Sequence, residues 1–151
     1  MELLILGTLL FFIGVVLLSI ITYVFMGLSL YTATELKGIK HKWFAWVPFL
    51  NIILLFKLGN KNWKYIWLIV GQTILSFIQY SNPSEMLLLI NVFLSIFVIV
   101  IYIQAYLNIS NEYEINPAWF IVGVFFSPVI LVAYILFYNK VRMLKKVGNS
   151  E

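Results

Sequence analysis

Hydrophobic and polar positions divide the chain into five apolar runs joined by short polar connections. From Leu3 to Thr34 there is no charged residue. As a helix this run would be about 48 Å long against a hydrocarbon core of roughly 30 Å, so it must tilt or project from a bilayer. A retained anchor is expected rather than a cleaved signal, because the segment opens on Met1-Glu2 with no Lys or Arg and its apolar stretch is too long. The second run, Trp43–Phe56, is short and interrupted by Pro48 and Asn51. Trp43 and Trp46 at one flank and Trp63 and Trp67 beyond the other favour a crossing, with a re-entrant segment as the alternative. Tyr65–Tyr80 forms a third run, closed by the turn-rich stretch Ser81-Asn82-Pro83-Ser84-Glu85. Met86–Ser110 predicts a fourth helix. After the acidic loop Asn111–Pro117, the fifth run, Ala118–Tyr138, is kinked or interrupted at Ser127-Pro128.

This pattern predicts an all-α protein: a polytopic transmembrane helical bundle of about five spans, or four plus a re-entrant segment. One helical domain covers 1–138, and a short basic tail covers 139–151. Composition points the same way. The chain has 151 residues, 63% hydrophobic and 11% charged, where a soluble domain carries about 45–50% and about 25%. So much apolar surface exceeds what a core of this size hides from water.

The net charge of +4 is not a nucleic-acid signal, since the cations cluster at the ends of apolar runs. With five spans and the N-terminus outside, Lys37, Lys40, Lys42, Lys140, Arg142, Lys145 and Lys146 lie inside, and only Lys57, Lys61 and Lys64 outside. The expected placement is therefore a multi-pass protein of a prokaryotic cytoplasmic membrane, N-terminus out and C-terminus in. The basic tail residues Lys140, Arg142, Lys145 and Lys146 are candidate contacts for anionic lipid headgroups.

A weak internal repeat is also present. Tyr31, Trp43-Phe44 and Pro48 are echoed by Tyr106, Trp119-Phe120 and Pro128. Under five spans the two copies would be inverted, an arrangement used by many transporters. The stretch Trp43-Phe-Ala-Trp46-Val-Pro48-Phe-Leu-Asn51, followed by Lys57-Leu-Gly59-Asn-Lys61-Asn-Trp63, resembles a group of small prokaryotic membrane proteins with a Trp-x-Ala-Trp-[Ile/Val]-Pro-x-x-Asn segment. The resemblance covers residues 30–67 well and 106–135 poorly. It implies a membrane protein of four to five helices and carries over no catalytic residue.

Some members of that group bear a signal peptidase label, which the residues here do not support. A Ser/Lys peptidase needs a desolvated lysine and an external substrate-binding domain, whereas every loop is short and each lysine stands at a run boundary. Aspartate is absent, cysteine is absent, and His41 is the sole histidine. Intramembrane aspartyl proteolysis, thiolate chemistry, His-Glu-x-x-His zinc sites and bis-histidine haem ligation therefore lack their residues. No enzyme activity and no cofactor is expected.

What polarity remains is uncharged. Pro48, Asn51, Gln72, Asn91 and Gln104 form a candidate polar notch, with interhelical hydrogen bonding as the plainer role for the amides. Thr8, Ser19, Thr22, Ser29 and Ala33 recur at helical spacing on the first helix as a packing seam, and Asn91, Ser95, Val98, Tyr102 and Ala105 do so on the fourth. The expected function is non-catalytic: a partner subunit, assembly factor or immunity-type protector of a membrane complex. The alternative is a small transporter or channel using the notch around Pro48 and Asn51. Expected partners are the lipid bilayer and a membrane protein or a second copy.

Overall fold

Apolar runs free of proline form single helices, while the two that contain a proline fold back on themselves. In the computed structural model the described residues are 1–148, the side chains at 2–4 and 127 excepted, so the last three residues of the basic tail lie outside them. Among the described residues every regular element is helical: α1 (Glu2–Leu36), α2 (Leu50–Leu58), α3 (Ile66–Ser81), α4 (Glu85–Glu112), α5 (Ala118–Phe125) and α6 (Ser127–Gly148). Short 3₁₀ turns occupy Lys42–Trp46 and Trp63–Tyr65. By length and composition α4, and α1 from Ile5 to Leu36, could each cross a membrane.

The run Trp43–Phe56 is not a straight segment. After α1 ends, the 3₁₀ turn runs back down that helix: the Trp46 ring packs on Gly27, and Tyr23 OH donates to Trp46 O at 2.8 Å. The chain reverses at Pro48-Phe49, where Phe49 has φ 66°. Proline presets the φ of a turn's second residue, which suits this reversal better than a helix interior. α2 then climbs again, with Asn51 beside Met26 and Leu58 O accepting from Lys37 Nζ at 3.3 Å. The segment returns to the end from which it set out. Lys57, Lys61 and Lys64, expected opposite Lys37, are therefore at the same end. Lys61 Nζ reaches Gln104 Oε1 at 2.8 Å, and Asn108 Nδ2 donates to Gly59 O at 2.7 Å.

The fifth run likewise breaks in two. Pro128 lies in the first turn of α6, where its missing N–H costs nothing, so it starts a helix instead of kinking one. α5 descends and α6 ascends beside it. Gly123 makes this hairpin tight, since a Cβ there would stand 2.7 Å from Ile130 Cα. α6 runs parallel to α1, its Tyr134 at Ser29 and its Lys145 paired with Glu35.

Two units of one design result, each a long helix followed by a helical hairpin. α1 and α4 end in the same cap. Gly38 and Glu114 take φ 62° and 52°, while Ile39 N donates to Thr34 O and Ile115 N to Ser110 O, both at 2.9 Å. The spacing from Thr34 to Ser110 also relates Ile39 to Ile115, Trp43 to Trp119 and Phe44 to Phe120. Because Lys37 at the end of α1 pairs with Glu112 at the end of α4 at 2.6 Å, both long helices run the same way. The repeat is parallel, not inverted. The reversal of each hairpin removes the extra crossing that inversion would need. Each hairpin also reaches the other unit: α6 packs on α1, and α2, which lies with its 3₁₀ turn against α1, touches α4 as well, while α5 stays on α4. α3 is the return stroke that joins the units.

Candidate functional site

The candidate notch does not assemble. Asn51 is buried in the first turn of α2, and its Nδ2 donates to Met26 Sδ at 3.9 Å. Pro48 is exposed at the reversal. The other amides lie along α3 and α4 as a ladder: Gln72 Nε2 donates to Ser95 Oγ at 2.6 Å, and Asn91 Nδ2 to Ser76 Oγ at 3.0 Å and Gln79 Oε1 at 2.9 Å. Gln104 faces Lys61 nearer the end of α4. These residues are spread over three separate contacts, because antiparallel α3 and α4 meet side by side along their length. The bonds they make are interhelical, the plainer of the two roles.

The seams fare unevenly. On α4, Asn91 and Ser95 meet α3, and Ala105 is fully buried against Gly59. On α1, Ser29 and Ala33 are fully buried. Ser29 Oγ lies 2.6 Å from Phe25 O and 3.0 Å from Tyr134 O, sharing its proton between the helix's own backbone and α6. Thr22 is half-buried, while Thr8 and Ser19 are exposed. The seam thus packs only in its second half, which is where α6 reaches.

Within the second unit, where α4, α5 and α6 meet, lies a buried aromatic cluster that was not expected from the sequence. Tyr106 and Tyr134 share a hydroxyl–hydroxyl bond of 2.7 Å, and the Tyr106 ring stacks on Phe120 with centroids 4.8 Å apart. Phe137 and Tyr113 continue it edge-on.

Charge is polarised along the molecule. Lys37–Glu112, Lys42–Glu35, Lys145–Glu35 and Lys140–Glu114 pair at the end where α1, α2 and α4 terminate and where α6 finishes. Every Lys and Arg belongs to segments gathered there, whereas the start of α4 at the opposite end carries Glu85. The Glu35 carboxylate raises the Lys42 ammonium above its usual range. The hydrogen bond from Lys140 holds the Glu114 carboxyl below its usual range.

The half away from the cations is bare by comparison. All side chains from Ile5 to Leu17 on α1 are exposed, and so are Phe49, Phe125 and Phe126 at the two reversals. Among the described residues no group of three or more His, Asp or Glu side chains gathers as a metal site. Comparison with protein-family models, curated proteins and solved structures finds no match for this chain.

Proposed function

We propose that the chain is a non-catalytic membrane protein that receives a helix of another membrane protein against the first half of α1. In this reading α1, α3 and α4 cross the bilayer, and the two hairpins are re-entrant from the cytoplasmic side. Three crossings replace the five expected from the runs. Polarised charge supports the orientation, since cations concentrate in cytoplasmic loops. From Lys37 to Gly27 is about 15 Å of helix, so the first reversal lies near mid-bilayer.

The observation that carries the proposal is the bare half. Irregular backbone at mid-bilayer depth is tolerated where protein covers it or water reaches it, not against lipid tails. Both reversals expose phenylalanine there, and α1 is exposed over Ile5–Leu17. The second unit supplies the chemistry of the occupant. Ser95 bonds to Asn91 O within α4 and also accepts from Gln72 of α3. Its counterpart Ser19 bonds to Val15 O in the same way but is exposed. An apolar helix with a Gln or Asn at the level of Ser19 would stand to α1 as α3 stands to α4.

The alternative, a transporter or channel, has one observation in its favour. α2 and α6 both begin at the reversals, so two positive helix ends point to mid-depth, as half-helices do in several transport proteins. A photo-crosslinker at Phe49 or Ile13 in intact membranes separates the readings. A discrete protein adduct at both positions is expected. Adducts to lipid alone, with solute flux through reconstituted protein, would overturn partner binding in favour of transport. A Cys at Lys61 in this cysteine-free chain tests the topology. Labelling by an impermeant reagent from outside the cell would sink the three-crossing arrangement.

A further inference from the structure

α6 ends in two chemically different faces, and the division falls among the cations that the sequence treats as one tail. Lys140 turns toward Glu114, in a concavity it shares with Trp119 and Met143. Tyr138, Arg142, Lys145 and Lys146 recur at helical spacing on another face. With Thr32 of α1 they line a separate cavity of about 310 Å³ between the last turns of α1 and α6. We propose that this notch is a binding site for a phosphate group.

Its parts have distinct roles. Arg142 is exposed and offers a planar fork of donors that matches two phosphate oxygens at once. Lys146, also exposed, adds a flexible point charge one helical turn on. Lys145 is anchored by Glu35, which also holds Lys42, so that single carboxylate is shared between two ammonium groups and leaves the site cationic. Phe25 meets the Tyr138 ring edge-on and fixes the wall on which the phenol sits. Thr32 Oγ1 already donates to Leu28 O at 2.8 Å, so it shapes the wall without donating to the ligand.

The expected source of the phosphate is an anionic lipid headgroup. Thr32 stands about one turn inside the end of α1, where an apolar helix gives way to charge, and cytoplasmic-leaflet phosphates lie at that level. This source rests on the membrane reading. The phosphate site itself does not.

Native mass spectrometry of the full chain in neutral detergent tests both, with phosphatidylglycerol, phosphatidylcholine and inorganic phosphate as probes. Retention of phosphatidylglycerol over phosphatidylcholine is expected, and Arg142→Gln with Lys146→Gln should weaken it about tenfold or more. The control pair Lys64→Gln with Lys140→Gln removes the same charge elsewhere and should change it less than about twofold. If inorganic phosphate binds with that same dependence while phosphatidylglycerol does not, the notch stands with a soluble ligand. Equal losses in the two pairs would mean diffuse attraction to a basic face and would overturn the site, as would no retention of either phosphate probe. Separately, recovery of the chain in the soluble fraction would remove the membrane reading without touching the phosphate result.

Discussion

α1 and α4 are counterparts, yet they keep different company. Toward their C-terminal ends they are treated alike, each packed by the other unit's hairpin through a small residue: Ser29 against Tyr134, and Ala105 against Gly59. Toward their starts they diverge. α4 has α3 alongside, bonded through Gln72, Ser76 and Gln79, whereas the side chains of α1 are exposed over Ile5–Leu17. Hydropathy does not separate these situations, since both helices are apolar throughout. Small residues with a partner in reach do. Where lipid is the surroundings, helices associate by close packing and polar bonds rather than by hydrophobic burial, so an exposed small residue such as Ser19 leaves room for a close neighbour.

The largest effect should come from enlarging the two counterpart contacts. Ser29→Leu would drive α6 from α1, and Ala105→Leu would collide with the backbone around Gly59. Each is expected to cost about 1–3 kcal/mol or more, the usual penalty of overpacking. Reversible unfolding in mixed micelles would measure it. A large loss at one position and none at the other would break the equivalence of the units.

The next effect concerns the starts of the long helices. Asn91→Leu removes the bonds to Ser76 and Gln79 and should lower stability in micelles by roughly 0.6 kcal/mol, and by no more than about 1.7. Ser19→Leu should leave micellar stability within about 0.5 kcal/mol. It should instead abolish the membrane crosslink expected at Ile13. Equal micellar losses for both variants would show that the first half of α1 is already packed within the chain.

The run lengths, the helical class and the concentration of cations at run ends were legible in the sequence, because each is a one-dimensional property. The reversals were not. A proline inside a short apolar run marks a kink, a re-entrant turn or a helix start, and which of these holds depends on what lies beside it. Pro48 sits where Trp46 can rest on Gly27, and Pro128 where Gly123 admits Ile130. Both conditions are set by residues distant in sequence or by the opposite arm. The candidate notch failed for a related reason. Gln72 on α3 and Asn91 and Gln104 on α4 are polar interruptions, and only the register of α3 against α4 and the return of the first hairpin beside α4 decide that each finds a different partner. The division of the basic tail into two faces was implicit in helical spacing, but it needed α1 and Glu114 in place to become visible.

The smallest effect lies at the caps, where the two units place different residues at the positive-φ position of the same backbone motif. Gly38 and Glu114 both follow the last turn of a long helix with positive φ. Glycine adopts that backbone freely, whereas a side chain is strained there. The second unit has Glu114 instead, and its carboxylate takes a bond from Lys140 at 2.9 Å. Because Lys140 lowers the carboxyl's pKa, the pair's contribution is present above the usual carboxylate range and is lost as pH falls through the lowered value. The side chain is 79% exposed, so water screens the pair and the contribution is small. Glu114→Gly should therefore raise Tm slightly at pH 7, relief of strain outweighing loss of the pair, and the gain should grow in acid as the wild-type pair dissolves. Gly38→Glu, with the same backbone and no relief, should lower Tm at both pH values. A loss of Tm in Glu114→Gly that disappears in acid would mean that the ion pair, not the backbone, holds the second cap.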